Sequence, residues 1–163
     1  MVAQKKAKES WVNMTEIVLP QHTNSLGTVF GGVIMSWVDI AAAICAQRHS
    51  EKSVVTASID AMHFLAPIRL GWVVNIQASI NYAAKTSCEV GVKITAENPL
   101  KREMYHTASA YVTIVALGEK GEKFPMPQVE LESEIEKKRF KEAIERRKTR
   151  LELASRLKKQ ARK

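Results

Sequence analysis

A chain of 163 residues with 45% apolar content has the size and composition of one globular domain and excludes a disordered polyelectrolyte. Its net charge of +8 is concentrated late: from Gln128 onward 13 Lys and Arg face 7 Glu, a net of +6 that leaves +2 for everything before. No stretch reaches the roughly 18 apolar residues of a membrane-spanning helix, and MVAQKKAKES has no hydrophobic signal core, so membrane insertion is not expected and a cytoplasmic location is.

In chain order, residues 1–9 read as a flexible N-terminus and Trp11–Leu19 as a first strand. Residues 22–43, HTNSLGTVFGGVIMSWVDIAAA, then pass from a small-residue loop into an apolar helix. Val33, Ile34, Trp37, Ile40, Ala41 and Ile44 recur at three- and four-residue spacing, and Gly27, Gly31 and Gly32 mark the entry, so the helix starts near Phe30 or Gly32. From Gly31 to Ala46 only Ser36 and Asp39 are polar. An ionised carboxylate in such surroundings costs several kcal/mol unless it is paired. Asp39 is therefore either a structural acceptor or a catalytic group.

The first turn of a helix offers unbonded N–H groups, and the glycines allow a ligand close to them, so the amides around Gly31 and Gly32 suit a developing oxyanion. Asp39 lies eight residues on, about 12 Å at 1.5 Å per residue, too far for both groups of one chain to meet one reacting carbon. If they act together, two chains supply them, as antiparallel helices about a two-fold axis would. Asn24, in the preceding loop, would then orient a water or a carbonyl beside the amides.

After the helix the period changes. Segments near 53–64, 72–82, 87–97 and 105–116 are rich in Val, Ile, Thr, Tyr and Ala and are separated by Pro67–Gly71, Ala84–Ser87 and Asn98–Pro99. One helix among five strands with no alternating helices reads as an α+β fold with an antiparallel sheet. GTVFGG is not G-x-G-x-x-G, and a Walker loop is absent, which argues against both dinucleotide and P-loop folds. Residues 119–128 read as a linker, and 129–163 as a charged helical tail whose stripe of Leu131, Ile135, Phe140, Ile144, Leu151 and Ala154 is incomplete. The tail reads chiefly as a solvated face, with docking on a neighbouring subunit second and contact with nucleic acid or anionic membrane last.

Asn24, the Gly31–Gly32 pair and Asp39, followed by TASIDAMHFLAPIRLG (56–71), resemble acyl-CoA thioester hydrolases of the hotdog fold, in particular the branch of the cytosolic long-chain and bacterial broad-range enzymes. The resemblance covers residues 10–118. It implies a long central helix wrapped by a five-stranded antiparallel sheet, a homodimer assembled into a trimer of dimers, and a site shared between subunits. It further implies Asn24, Gly31, Gly32 and Asp39 as catalytic residues and no cofactor, since coenzyme A belongs to the substrate. Asp39 would activate water or attack the carbonyl itself. The turn Ala84–Lys85–Thr86–Ser87 offers an ammonium, two hydroxyls and turn amides to coenzyme A, with Arg69, Lys101 and Arg102 as weaker candidates; an ordinary polar hairpin is the competing reading. Val33, Trp37, Met62 and Phe64 are expected along the acyl channel.

Other residues read as structural. His22 is a loop support more than a base, His49 a helix-end residue, Ser36 packing, Asp60 a backbone or subunit contact, and Cys45 and Cys88 free core thiols. His63 and His106 lack metal-ligand partners in sequence, so no metal is expected. The competing functions are a non-catalytic acyl-CoA sensor and a hydroxyacyl thioester dehydratase, the latter calling for a histidine with the acid.

Overall fold

The computed structural model describes residues 4–160. Strand β1 (Gln4–Lys6) leads through a 3-10 turn at Ala7–Ser10 to β2 (Val12–Ile17), then helix α1 (Gly31–Ser50), strands β3 (Ser53–Ile59), β4 (Val73–Ala83), β5 (Ser87–Asn98), β6 (Glu103–Leu117) and β7 (Gln128–Glu130), and helix α2 (Glu134–Gln160). The main sheet is antiparallel in the order β2-β4-β5-β6-β3. The expected α+β architecture, one long helix against five antiparallel strands, is what the chain adopts.

Alternation builds the core. Val90, Val92, Ile94 and Ala96 of β5 and Ala108, Ala110, Val112, Ile114 and Ala116 of β6 point to one face, where they bury Ile34, Val38, Ala41, Ala42, Cys45 and Ala46 of α1. The sheet curls around the helix through three bulges, at Ala57 in β3, Asn81 in β4 and Thr107 in β6, each an extra residue that bends its strand. Thr107 compensates for its break in the ladder by donating its hydroxyl to the Ile94 carbonyl.

Two expectations about the chain ends need correction. Residues 4–9 are not a loose leader: β1 pairs in parallel with β7, and Ala7 and Ser10 are buried beside α1. The second half of the 119–128 linker is packed as well, because Met126 is buried and donates its amide to the Lys85 carbonyl, while Lys52 lies 4.6 Å above the Phe124 ring; residues 119–123 are exposed. Strand β3 also stops at Ile59 rather than running to residue 64, leaving Asp60–Phe64 to the following loop. Met1–Ala3 and Ala161–Lys163 lie outside the described residues.

Helix α2 crosses the outer face of the sheet. Phe140 meets Tyr82 edge-on at 5.2 Å, Ala143 is buried, and Arg146 lies over the Tyr111 ring at 3.6 Å. Its guanidinium, with that of Arg150, converges on Glu89, a carboxylate only 1% exposed. The tail therefore docks on its own sheet through buried charge, while residues 151–160 stay exposed.

Candidate active site

Helix α1 is apolar on nearly all sides, yet the sheet covers only one of them. Gly32, Met35, Ser36, Asp39, Ile40 and Ala43 share the opposite face at three- and four-residue spacing, with Met35 and Ile40 still 43% and 46% exposed. Asp39 thus stands in an uncovered apolar stripe, not in the core. Its Oδ1 accepts a 2.6 Å hydrogen bond from the Thr56 hydroxyl of β3, and Oδ2 has no hydrogen-bond partner among the described residues. Thr56 escaped the sequence reading, although it alternates with Val54 on the helix-facing side of β3 and the period-two pattern could have found it.

The glycine end is built by the loop before it. Asn24 Oδ1 accepts from the Leu26 and Thr28 amides and the Thr28 hydroxyl, while Nδ2 donates to Thr28 Oγ1. The asparagine thereby fixes the turn and keeps its second amide hydrogen. The Phe30 amide donates to the His22 carbonyl, which closes the loop where the chain enters α1 at Gly31. No side chain caps the helix, and no hydrogen bond engages the Gly31 or Gly32 amides among the described residues. A Cβ on Gly31 would stand 3.2 Å from the Phe64 ring, whereas Gly32 faces open space. Beside them Thr28, Ile34, Phe64, Leu65 and Pro67 line a cavity of about 300 Å³.

Of the expected acyl-channel residues only Phe64 lines this cavity. Trp37 is core, packed at 5.2 Å against the His22 ring, and Val33 and Met62 pack at the core margin. His22 accepts the Leu19 amide at Nδ1, a loop support as expected.

Lys85, Thr86 and Ser87 form the β4–β5 turn, with the Ala84 amide bonded to the Ser87 carbonyl. Ser53 pairs with Leu117 and Ser87 with Val115, so this turn sits where α1 ends, at the far end of the helix from Gly31. One chain therefore does not bring the turn and the glycines together. Lys85 is exposed and makes no ion pair among the described residues. Lys101 and Arg102 occupy the opposite hairpin end, and Arg69 is bridged to Thr28.

Both cysteines are buried and free, as expected: burial pushes the Cys45 thiol up to about 12 and raises that of Cys88 as well, so neither is a thiolate at neutral pH. The Asp60 carboxylate is held by Arg150 at 2.6 Å. At the helix end, where a positive charge on Arg48 and His49 would complement the helix dipole, His49 is expected as a capping residue. It is instead fully buried beside the Pro127 carbonyl, and burial holds its pKa below the ordinary value. No helix among the described residues is long and apolar enough to cross a membrane.

The thioesterase superfamily profile matches residues 26–102. The Bacillus subtilis protein named uncharacterized acyl-CoA thioester hydrolase YkhA is 37% identical over 139 residues, 85% of this chain and 81% of its own. A solved apo-hexameric acyl-CoA thioesterase superposes with a TM-score of 0.91 at 35% identity, covering 94% of this chain and 98% of its own. The Staphylococcus aureus acyl-CoA hydrolase, solved with butyryl coenzyme A and coenzyme A, gives 0.89 at 34%, covering 98% and 99%. That hydrolase has also been solved with an aspartate, a threonine and an asparagine each replaced by alanine.

Proposed function

This chain belongs to the thioesterase superfamily, is an acyl-CoA thioesterase of the hotdog fold, and from that premise we propose that it hydrolyses acyl-CoA at a site completed by two subunits. The observation that carries the shared site is the placement of Asp39: a carboxylate tethered to Thr56 in the middle of an uncovered apolar helix face, with the unbonded Gly31 and Gly32 amides two turns away on the same helix. A second copy packed antiparallel covers Met35 and Ile40 and brings its glycine end to Asp39. Strand β3 is one of the two edges of the sheet, so the two sheets can join beneath the paired helices. The hexameric state of a neighbour with a TM-score of 0.91 supports a dimer that assembles further, as three such pairs.

In this reading the thioester carbonyl oxygen accepts hydrogen bonds from the glycine-end amides of one subunit. Asp39 of the other removes a proton from water as the oxygen adds to the carbonyl carbon. The tetrahedral intermediate collapses, the carbon–sulfur bond breaks, and the departing thiolate recovers the proton from Asp39. Thr56 holds Oδ1 so that Oδ2 is the basic oxygen, and the spare Asn24 amide hydrogen orients the water or the carbonyl. The replaced asparagine, aspartate and threonine of the Staphylococcus aureus hydrolase are spaced 15 and 17 residues apart, as Asn24, Asp39 and Thr56 are here, which supports all three assignments. Direct attack by Asp39 would leave a mixed anhydride, and a protein hydroxamate formed on trapping with hydroxylamine would favour that route over the base role.

In an antiparallel pair the Lys85–Thr86–Ser87 turn lies beyond Asp39 on the side of the partner's glycine end, about 16 Å further along α1, where it would meet the phosphates of coenzyme A. A dehydratase reading has less support, because His22 spends Nδ1 on the Leu19 amide. Thiol release from a panel of acyl-CoA esters tests the function directly. Binding without release would make the protein a sensor instead.

A further inference from the structure

We propose that Arg150 of α2 is a positioning residue for the thioester site, holding through Asp60 the 60–68 segment that walls the glycine end of α1; this rests on the thioesterase reading above. The segment leaves β3 at Ile59 and reaches the site within a few residues. It is pinned at three points: the Asp60 amide donates to the Tyr111 carbonyl, the Leu65 amide to the Thr107 carbonyl, and the Ile68 carbonyl accepts the Val29 amide. Between them Phe64 lies against Gly31, and Phe64, Leu65, Ala66, Pro67 and Ile68 form one side of the cavity there. A shift at Asp60 is therefore passed on to the wall of the site.

Asp60 has one side-chain partner among the described residues, Nη1 of Arg150 at 2.6 Å, and both side chains are only 19% exposed. An exposed ion pair would contribute little to holding a loop in place. Here the guanidinium is itself fixed, because Nη2 bonds Glu89 at 3.0 Å and that buried carboxylate is further held by Arg146 and by Asn81 at 3.2 Å. Gly91 makes room for this, since a Cβ at that position would strike the Asn81 amide. The sheet thus orients Glu89, Glu89 orients Arg150, and Arg150 orients Asp60.

Removing Arg150 leaves the helix docked by Phe140, Ala143 and Arg146, all of which precede it. The freed Asp60 carboxylate turns outward to water and draws the segment with it. Small misplacements of this kind cost catalysis more than affinity, up to about a hundredfold per ångström.

The test is steady-state kinetics on an acyl-CoA ester that the wild-type protein cleaves, paired with amide exchange over residues 60–68. Arg150→Ala and Asp60→Asn should each lower kcat roughly tenfold, with KM changed less than about twofold. The double variant should be no slower than either single one, Arg150→Lys should recover part of the loss, and exchange across 60–68 should accelerate while unfolding stays cooperative. Wild-type kcat or unchanged exchange in Arg150→Ala, or single effects that multiply in the double variant, would overturn the tether. A wild-type protein that releases no thiol from any ester sinks the thioesterase reading first, and faster exchange in Arg150→Ala would still report the mechanical link.

Discussion

The Thr56 hydroxyl and the Asp39 carboxylate join the edge strand to the central helix through a 2.6 Å hydrogen bond. A donor at that distance lowers the energy of the carboxylate and fixes its rotamer, and for a base the second effect matters more. Thr56→Val should reduce kcat by roughly tenfold while Thr56→Ser stays near wild type. Asp39→Asn, in contrast, should lose about 10²–10⁴ in kcat. A loss in Thr56→Ser with Thr56→Val near wild type would point to packing of the methyl group rather than to the hydroxyl.

A shared site predicts complementation. Chains carrying Asp39→Ala and chains carrying Asn24→Ala are each inactive, but when mixed and allowed to exchange, heterodimers contain one intact site, restoring about a quarter of wild-type turnover. Native mass spectrometry confirms that exchange has happened. Heterodimers without activity would place Asn24 and Asp39 in the same site half.

Much of this was legible in the sequence, and the reason differs by element. The helix was readable because Gly31–Gly32 opens it and its apolar positions repeat, and the strands because Val, Ile and Thr alternate between turns. The separation of Gly31 from Asp39 is itself a sequence feature, and the proposal of a second chain rests on it. What stayed hidden depends on contacts between residues far apart in sequence. Glu89 looks like any polar residue of an alternating strand, and its burial appears only when Arg146, 57 residues later, lies across it. β1 is three residues long and has no pattern of its own; it exists because β7 pairs with it.

The Glu89 cluster sets an expectation for stability. Burial acts to lower the Arg146 pKa, and the hydrogen bonds and charge of Glu89 outweigh it, holding the guanidinium above its ordinary value. Glu89→Gln keeps the shape but removes the charge that two arginines share, and should cost roughly 3 kcal/mol in urea unfolding. A loss indistinguishable from zero would mean that the arginines recover their solvation at no cost.

His49 predicts a pH effect of definite sign. Its Nε2 faces the Pro127 carbonyl at 2.9 Å and must carry the hydrogen, since the carbonyl only accepts, while Nδ1 is buried without a partner among the described residues. Burial is the largest influence and depresses the folded pKa below 6.5, against the raising effect of the carbonyl bond. The unfolded chain therefore takes up a proton more readily than the folded one as pH falls through about 6.5, and stability drops from there until the folded value is reached. Urea midpoints measured from pH 8 to 5 should decline over that window, and His49→Gln should flatten the decline. A wild-type midpoint constant across the window would contradict the buried neutral ring.

The parallel pairing of β1 with β7 joins residues 4–6 to residues 128–130. On a ribosome the first of these emerges long before the second, by roughly ten seconds at ~10 residues per second. For that interval the early strand has no partner, and the sheet, the helix and its glycine turn must assemble without it. The clasp can therefore close only after every strand of the main sheet has been made, when docking of α2 is the one step still to come.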